Sequence, residues 1–382
     1  LSVDIIVGDA LTELRKLPSE SVDCCVTSPP YWGLRDYDVD GQMGLEPTLG
    51  EHLDAMVELF REVRRVLKSH GTLWLNYGDC YAAQPNGKAA AAYKAEGSDD
   101  RTFRDKPFST VGPIYQRDDS ARQQSRRGRS GNLGNGGING VAIPSGRIVA
   151  GGFLKPKDLC MVPNRLAIAL QDDGWFVRSE IIWHKPNPMP ESVYDRPTSA
   201  HEKVWLLTKS EEYFYNHAAI REPCSSGPSD VRKMREGLPR LGGKHKGAND
   251  PRLKASSLSN IGRKRSVGDG ETRNARNVWT IAPKPFREAH FATFPPELAA
   301  RCIKAGVPET VCGACGAPSG CGGICSLFPR VPGRILDPFG GAGTVGLVAE
   351  SLGLDATLIE LNPGYAAMAR RRIGLTEEAE AA

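Results

Sequence analysis

No apolar run in this chain approaches the roughly 20 residues that a helix needs to cross a bilayer, so no membrane partner is expected. The N-terminus, which begins at Leu1, lacks the basic-then-apolar pattern of a secretory signal. A cytoplasmic location is the expectation. Ten cysteines among 382 residues are too few and too scattered for a disulfide scaffold. Cys24, Cys25 and Cys160 sit in apolar runs, where a thiol serves as a small core residue. Two stretches also lack any sustained hydrophobic period. Residues 84–150 are rich in Gly, Ser, Asn and Arg and hold too little apolar surface to build a core, so a flexible insertion is expected there. Residues 218–277 are the second such stretch.

Both stretches are basic. The first carries eleven Lys and Arg against six Asp and Glu, and the second fourteen against six. With a whole-chain net charge of only +4, the remainder must be acidic. Two basic segments on an acidic body suit a polyanionic partner, and two solvated loops are the alternative.

The rest of the chain alternates regularly. Residues 3–7 read as a strand and 10–17 as a helix closed by Pro18. A buried strand over 22–26 follows, then a helix over 51–68 with a Thr48/Glu51 capping box and Gly71 as its terminator. A strand at 72–77 completes a β-α-β-α-β rhythm, which is that of an α/β sheet covered by helices. Beyond the first basic stretch come a helix over 164–172, a strand over 176–183, and an antiparallel hairpin formed by 204–208 and 213–215. The C-terminal part resumes with a helix over 296–305, a strand over 334–339, a helix over 344–352, a strand over 356–360 and a last helix over 365–373.

Two loops stand out. The strand at 22–26 runs straight into Thr27-Ser28-Pro29-Pro30-Tyr31-Trp32. Two prolines stop a ladder and stiffen the backbone, so Ser28, the neighbouring carbonyls and Tyr31 form a preorganised ledge at a strand's C-terminal end. In α/β sheets that is where ligands bind. The second loop, Asp337-Pro338-Phe339-Gly340-Gly341-Ala342-Gly343-Thr344, joins a strand to a helix. Its glycines permit a tight turn and close approach of backbone to a ligand. Glu360 ends the following strand, about where an acid would bond the ribose hydroxyls of a nucleotide-like cofactor. The spacing is not that of the dinucleotide G-x-G-x-x-G fingerprint.

Phe339-x-Gly341-x-Gly343 resembles the S-adenosylmethionine loop of the amino-methylating DNA methyltransferases, and Thr27-Ser28-Pro29-Pro30-Tyr31 resembles their catalytic motif. Here the catalytic motif precedes the cofactor loop, the order of the β-class enzymes. The resemblance extends to Gly8-Asp9, the segment 184–192, His201-Glu202 and the segment 290–295. It implies an α/β fold with a Rossmann-like mixed sheet, circularly permuted so that the cofactor loop is C-terminal. It also implies methyl transfer from S-adenosylmethionine to a base that has been flipped out of double-stranded DNA. Ser28 and the carbonyl of Pro29, with Pro30 stiffening the loop, would accept the hydrogens of the target amine, and Tyr31 would stack on the base. Asp337, Phe339, Gly341, Gly343, Thr344 and Glu360 would cradle the cofactor, with Asp9 at its adenine end and Phe294 and Pro295 at its methionine end. His184, His201 and His290 read as hydrogen-bonding scaffold.

Ser at position 28, in place of Asp or Asn, resembles cytosine-N4 enzymes, with adenine-N6 methylation as the alternative. Further rivals are a DNA-binding protein on a degenerate methyltransferase scaffold and a methyltransferase acting on RNA or protein. The catalytic domain is expected to comprise residues 1–83, 151–217 and 278–376, with 218–277 as the target-recognition region. A cognate restriction enzyme and a prokaryotic or phage origin accompany this reading. Within the catalytic domain lies a Cys-rich insert at 312–325, where Cys312, Cys315, Cys321 and Cys325 match the ligand number of a structural zinc site. Unpaired surface thiols remain the other reading.

Overall fold

The computed structural model describes residues 2–33, 39, 41–46, 48–82, 154, 157–224, 272–284 and 295–375. The basic insertion at 84–150 lies outside them, as does most of the second basic stretch. The chain divides into two compact units, Leu1–Asn216 with Asn277–Ala382, and His217–Arg276.

The larger unit is built on one sheet. In chain order its elements are β1 (Val3–Val7), α1 (Ala10–Lys16), β2 (Val22–Thr27), α2 (Leu49–Val66), β3 (Leu67–Tyr77), α3 (Val162–Asp172), β4 (Phe176–His184) and β5 (His201–Thr208). In the smaller unit, β6 (Glu222–Pro223) pairs with β7 (Thr272–Arg273), and Arg221 bridges them through the Thr272 hydroxyl and carbonyl. The larger unit continues with β8 (Val278–Thr280), α4 (Pro296–Gly306), β9 (Thr310–Cys312), β10 (Arg330–Pro332), β11 (Arg334–Asp337), α5 (Thr344–Ser351), β12 (Asp355–Glu360) and α6 (Pro363–Ile373). The sheet runs β1-β12-β11-β2-β3-β5-β4-β8. Among these eight strands only β5 is reversed relative to the others. The C-terminal ends of the rest, and the N-terminal start of β5, therefore gather at one edge. Among the described residues no helix is long and apolar enough to cross a membrane.

Local chemistry accounts for the elements that matter most. β2 is buried at every position, as a central strand covered on both faces must be. α2 begins with the capping box foreseen in the sequence: the Thr48 hydroxyl accepts from the Glu51 N–H, and Glu51 accepts from the Thr48 N–H. Its inner face packs Met56, Leu59, Phe60 and Val63, all fully buried, against the sheet.

Several boundaries differ from the sequence reading. α2 ends at Val66, and Gly71 lies inside β3 rather than closing a helix. Lys68 and His70 both bond the carboxylate of Asp23 on β2, which fastens residues 67–71 along that strand across a bulge in the register. The expected 204–215 hairpin does not form. β5 pairs with β3 and β4 instead, while the Phe214 N–H donates to the His70 carbonyl and Tyr215 stacks on Trp74. β8, unforeseen, adds the outermost strand. α3 starts at Val162 with Pro163 inside its first turn, where a missing N–H costs nothing.

Candidate active site

The loops at the C-terminal edge of the parallel strands enclose a cavity of about 230 Å³. One wall is the ledge after β2. Trp32 fixes it from below: its ring is buried, its indole N–H donates to the Glu46 carbonyl at 3.0 Å, and its backbone N–H donates to the Tyr77 hydroxyl at 2.8 Å. That hydroxyl also donates to the Pro30 carbonyl and bonds Nε2 of the fully buried His52 at 2.7 Å. Nδ1 of His52 meets Glu46 at 2.7 Å. Burial alone would raise the carboxyl pKa of Glu46, but the bonds from His52 and the Gly44 N–H outweigh it and hold the value below normal.

Ser28, Pro29, Pro30 and Tyr31 all line the cavity. The Ser28 hydroxyl donates to the Tyr31 hydroxyl at 3.4 Å, and Tyr31 donates in turn to Glu202 Oε2 at 2.7 Å. The Tyr31 ring leans on Tyr77, with centroids 4.9 Å apart, and fills the space that a side chain at Gly78 would need.

The facing wall is the glycine loop between β11 and α5. The Gly340 N–H donates to the Ile359 carbonyl at 2.7 Å, which ties the loop to β12. Gly341 and Gly343 adopt φ of +51° and +73°, the left-handed region in which only glycine sits without strain. Their surroundings differ. A Cβ at Gly343 would collide with Ala369 at 2.8 Å, so that glycine lets α6 pack closely. A Cβ at Gly341 would meet no atom nearer than 3.9 Å and would enter the open cavity. Glu360 lines the cavity with both carboxylate oxygens anchored, Oε2 by the Gly341 N–H at 2.7 Å and Oε1 by the Asn362 N–H at 2.8 Å. Burial raises its pKa despite the backbone donors of Asn362, Gly341 and Leu361.

Asp9, Phe339 and Thr344 complete the predicted residues found on the lining. Asp9 also caps α1, one carboxylate oxygen accepting from the Thr12 N–H and hydroxyl. Three predicted residues stand apart from the lining. Asp337 is buried beneath the loop, where it accepts from the Thr27 hydroxyl at 2.8 Å and the Phe339 N–H at 3.1 Å. Burial pushes its pKa up to about 7. Gly343 serves packing, and Pro295 caps α4. Phe294 and His290 lie outside the described residues. His184 bonds the Thr280 hydroxyl across β4 and β8.

The sequence reading assigned no role to the third wall. Asn76 from the end of β3, Trp183 and Lys185 from the end of β4, and Glu202 from the start of β5 all line the cavity. Lys185 forms an ion pair with Glu202, and its ammonium lies 4.5 Å from the centroid of the Trp183 ring. Asn76 donates to Glu202 at 3.2 Å. One carboxylate thus gathers Tyr31, Asn76 and Lys185. The four clustered cysteines are elsewhere, around the β9–β10 hairpin, with their sulfurs within 4.8 Å of one another.

Residues 22–371 match the model of a family described as DNA methylase, of the N6/N4 type. The type II methyltransferase M.XycI of Xanthomonas campestris pv. cyanopsidis is 39% identical over 96% of this chain and 86% of its own length. The type II methyltransferase M.SmaI of Serratia marcescens is 37% identical over 97% of this chain and 91% of its own. A 73-residue stretch, 19% of this chain and 23% of the relative, is 41% identical to the DNA adenine methyltransferase YhdJ of Escherichia coli strain K12. Among solved structures, the cytosine-N4-specific PvuII DNA methyltransferase superposes with a TM-score of 0.52 over 97% of this chain and 86% of that one. At 16% identity that likeness speaks for the fold.

Proposed function

The chain belongs to the N6/N4 family of DNA methylases, and from that premise we propose that it transfers a methyl group from S-adenosylmethionine to the N4 amine of a cytosine flipped out of a specific duplex DNA site. The observation that carries this reading is a single cavity lined by both the Ser28 ledge and the Gly341–Glu360 cradle. The cradle fits such a cofactor. Gly341 leaves open the space a side chain would fill, and the Glu360 carboxylate, with about four lone-pair sites, has acceptor capacity beyond its backbone donors. Phe339, Gly341, Thr344, Glu360 and Asp9 are the residues that would hold it. When bound, S-adenosylmethionine supplies an electrophilic sulfonium methyl.

The remaining chemistry belongs to the ledge. An exocyclic base amine is a poor nucleophile because its lone pair is delocalised into the ring. Ser28 Oγ and the Pro29 carbonyl would accept its two hydrogens and draw the nitrogen toward tetrahedral geometry. The hydrogen-bond order supports that role. Ser28 spends its own proton on Tyr31, and Tyr31 spends its proton on Glu202, so the lone pairs of Ser28 stay available to the amine. Glu202 acts here as a positioning residue. The rate gain would come from orientation and fixed dipoles, with no covalent enzyme intermediate.

Support for cytosine rests on the serine at position 28 and on the specificity carried in the name of the PvuII neighbour. Adenine N6 is the second reading, favoured by the short stretch shared with an adenine methyltransferase. The unit His217–Arg276 would read the DNA sequence, its Lys and Arg contacting phosphates and guanine edges. A restriction enzyme of the same specificity would be the biological companion.

Nucleoside mass spectrometry of DNA from cells expressing the protein is expected to find N4-methylcytosine; N6-methyladenine alone would transfer the reading to adenine. Ser28→Ala should lower methyl transfer by about 10²–10³-fold while S-adenosylmethionine still binds. Unchanged turnover in that variant would sink the mechanism.

A further inference from the structure

Between α4 and β11 the chain makes a small lobe. Strands β9 and β10 pair antiparallel, and the loop between them, residues 313–329, meets Lys68 at the start of β3 through Gly316, at the end of the sheet away from the cavity. Apolar packing does not hold this loop: Ile324, Leu327 and Phe328 are 75%, 80% and 49% exposed. What converges instead is sulfur. The Sγ atoms of Cys312, Cys315, Cys321 and Cys325 all lie within 4.8 Å of one another, and none is in a disulfide.

The backbone around the first pair is shaped for thiolate. The Gly316 N–H closes a turn onto the Cys312 carbonyl at 2.8 Å, with Gly316 at φ +72°. That turn directs the N–H groups of Ala314 and Cys315 at the Cys312 sulfur. Gly313 leaves no room for a side chain, since a Cβ there would stand 2.6 Å from the Pro329 carbonyl oxygen.

We propose that Cys312, Cys315, Cys321 and Cys325 bind one zinc ion as a closed, structural tetrathiolate site that folds this lobe. Zinc–sulfur bonds of about 2.3 Å in a tetrahedron set the sulfurs about 3.8 Å apart, so the observed cluster needs only a slight contraction. Soft thiolates select zinc over oxygen-seeking cations, and four of them leave no position for water or substrate. The complex would carry a net charge of about −2, and Lys68 stands against the knuckle, its Cε 3.1 Å from where a Cβ on Gly316 would be. The ammonium of Lys68 also bonds Asp23 on β2. Metal would thus fasten the lobe onto the end of the sheet remote from methyl transfer.

The full chain, purified from zinc-supplemented cells, should contain about one zinc per chain by elemental mass spectrometry. The double variant Cys315→Ser/Cys321→Ser should contain essentially none and melt at a lower temperature. Cobalt exchanged into the wild-type protein should give the sulfur-to-cobalt charge-transfer bands and intense visible absorption of a tetrahedral thiolate site, a readout independent of how the variant folds. Wild-type protein free of zinc and silent with cobalt would overturn the proposal. So would a double variant that retains its zinc, or a wild-type mass lowered by the hydrogens lost on disulfide formation.

Discussion

Two buried aspartates on neighbouring strands show how differently the two ends of the sheet treat charge. Asp23, near the start of β2, is fully buried, yet every face of its carboxylate is occupied. Lys68 and His70 reach Oδ1 at 2.8 and 2.9 Å, and the Arg334 N–H reaches Oδ2 at 2.8 Å. Asp337, at the end of the adjacent β11, is equally buried, but both of its donors go to Oδ1, and among the described residues no cation pairs with it. Its carboxyl is accordingly pushed up to about 7, chiefly by burial. The first end uses charge to join three strands. The second tolerates an uncompensated acid beneath a loop that lines the cavity. On the proposed reading, stability and function are built at opposite edges.

Removing the anion at the stabilising end is the strongest way to test this contrast. Asp23→Ala leaves the half-buried Lys68 beside His70 without its carboxylate partner and should cost about 3 kcal/mol in urea unfolding. An unchanged unfolding midpoint would remove Asp23 from the framework. Asp337→Asn probes the other end and should act through pH. The native carboxyl holds its proton to about pH 7, whereas an unfolded one releases it near 4. Between those values the unfolded state binds fewer protons than the native state, so wild-type stability falls as pH rises and levels off above 7. The loss is roughly a few kcal/mol at most. The asparagine variant, which can still accept from Thr27 and Phe339, should lack that slope in melting curves taken between about pH 4 and 8. A matching slope in both proteins would assign the dependence to other groups. Glu202→Gln should have the smallest effect on stability of the three. Turnover should drop roughly tenfold as a charge-assisted bond to Tyr31 is weakened, and the unfolding midpoint should fall by less than in Asp23→Ala, since the amide oxygen can still accept from Lys185. Equal turnover would leave Glu202 without a positioning role.

How much of this was legible in the sequence follows the same division. The glycine loop, the proline ledge and Glu360 each announce themselves within a few residues, because strand ends, φ restrictions and capping are local physics. The α2 capping box was readable for the same reason. The third wall was not. Asn76, Lys185 and Glu202 meet only because β3, β4 and β5 become neighbours, and nothing within any one segment says so. His201-Glu202 and the segment after Trp183 belong to the recognised motifs, but their chemistry appears only when Glu202 is seen to collect three partners. The start of β3 was misread because Lys68 and His70 look like a polar helix end until Asp23 is placed beside them. Tyr213 and Tyr215 look like strand residues, yet Tyr215 is used to cover Trp74.

The tether beneath the ledge has a thermodynamic corollary. Tyr77, His52, Glu46 and Trp32 lock Pro30 to α2 and β3 through bonds that form when the chain folds. A loop with so few conformations left to lose adds little unfavourable entropy when a base enters. On the proposed reading, base capture at this ledge should therefore show a heat signature set by stacking and hydrogen bonding, with most of the ordering cost falling on the DNA that has to open.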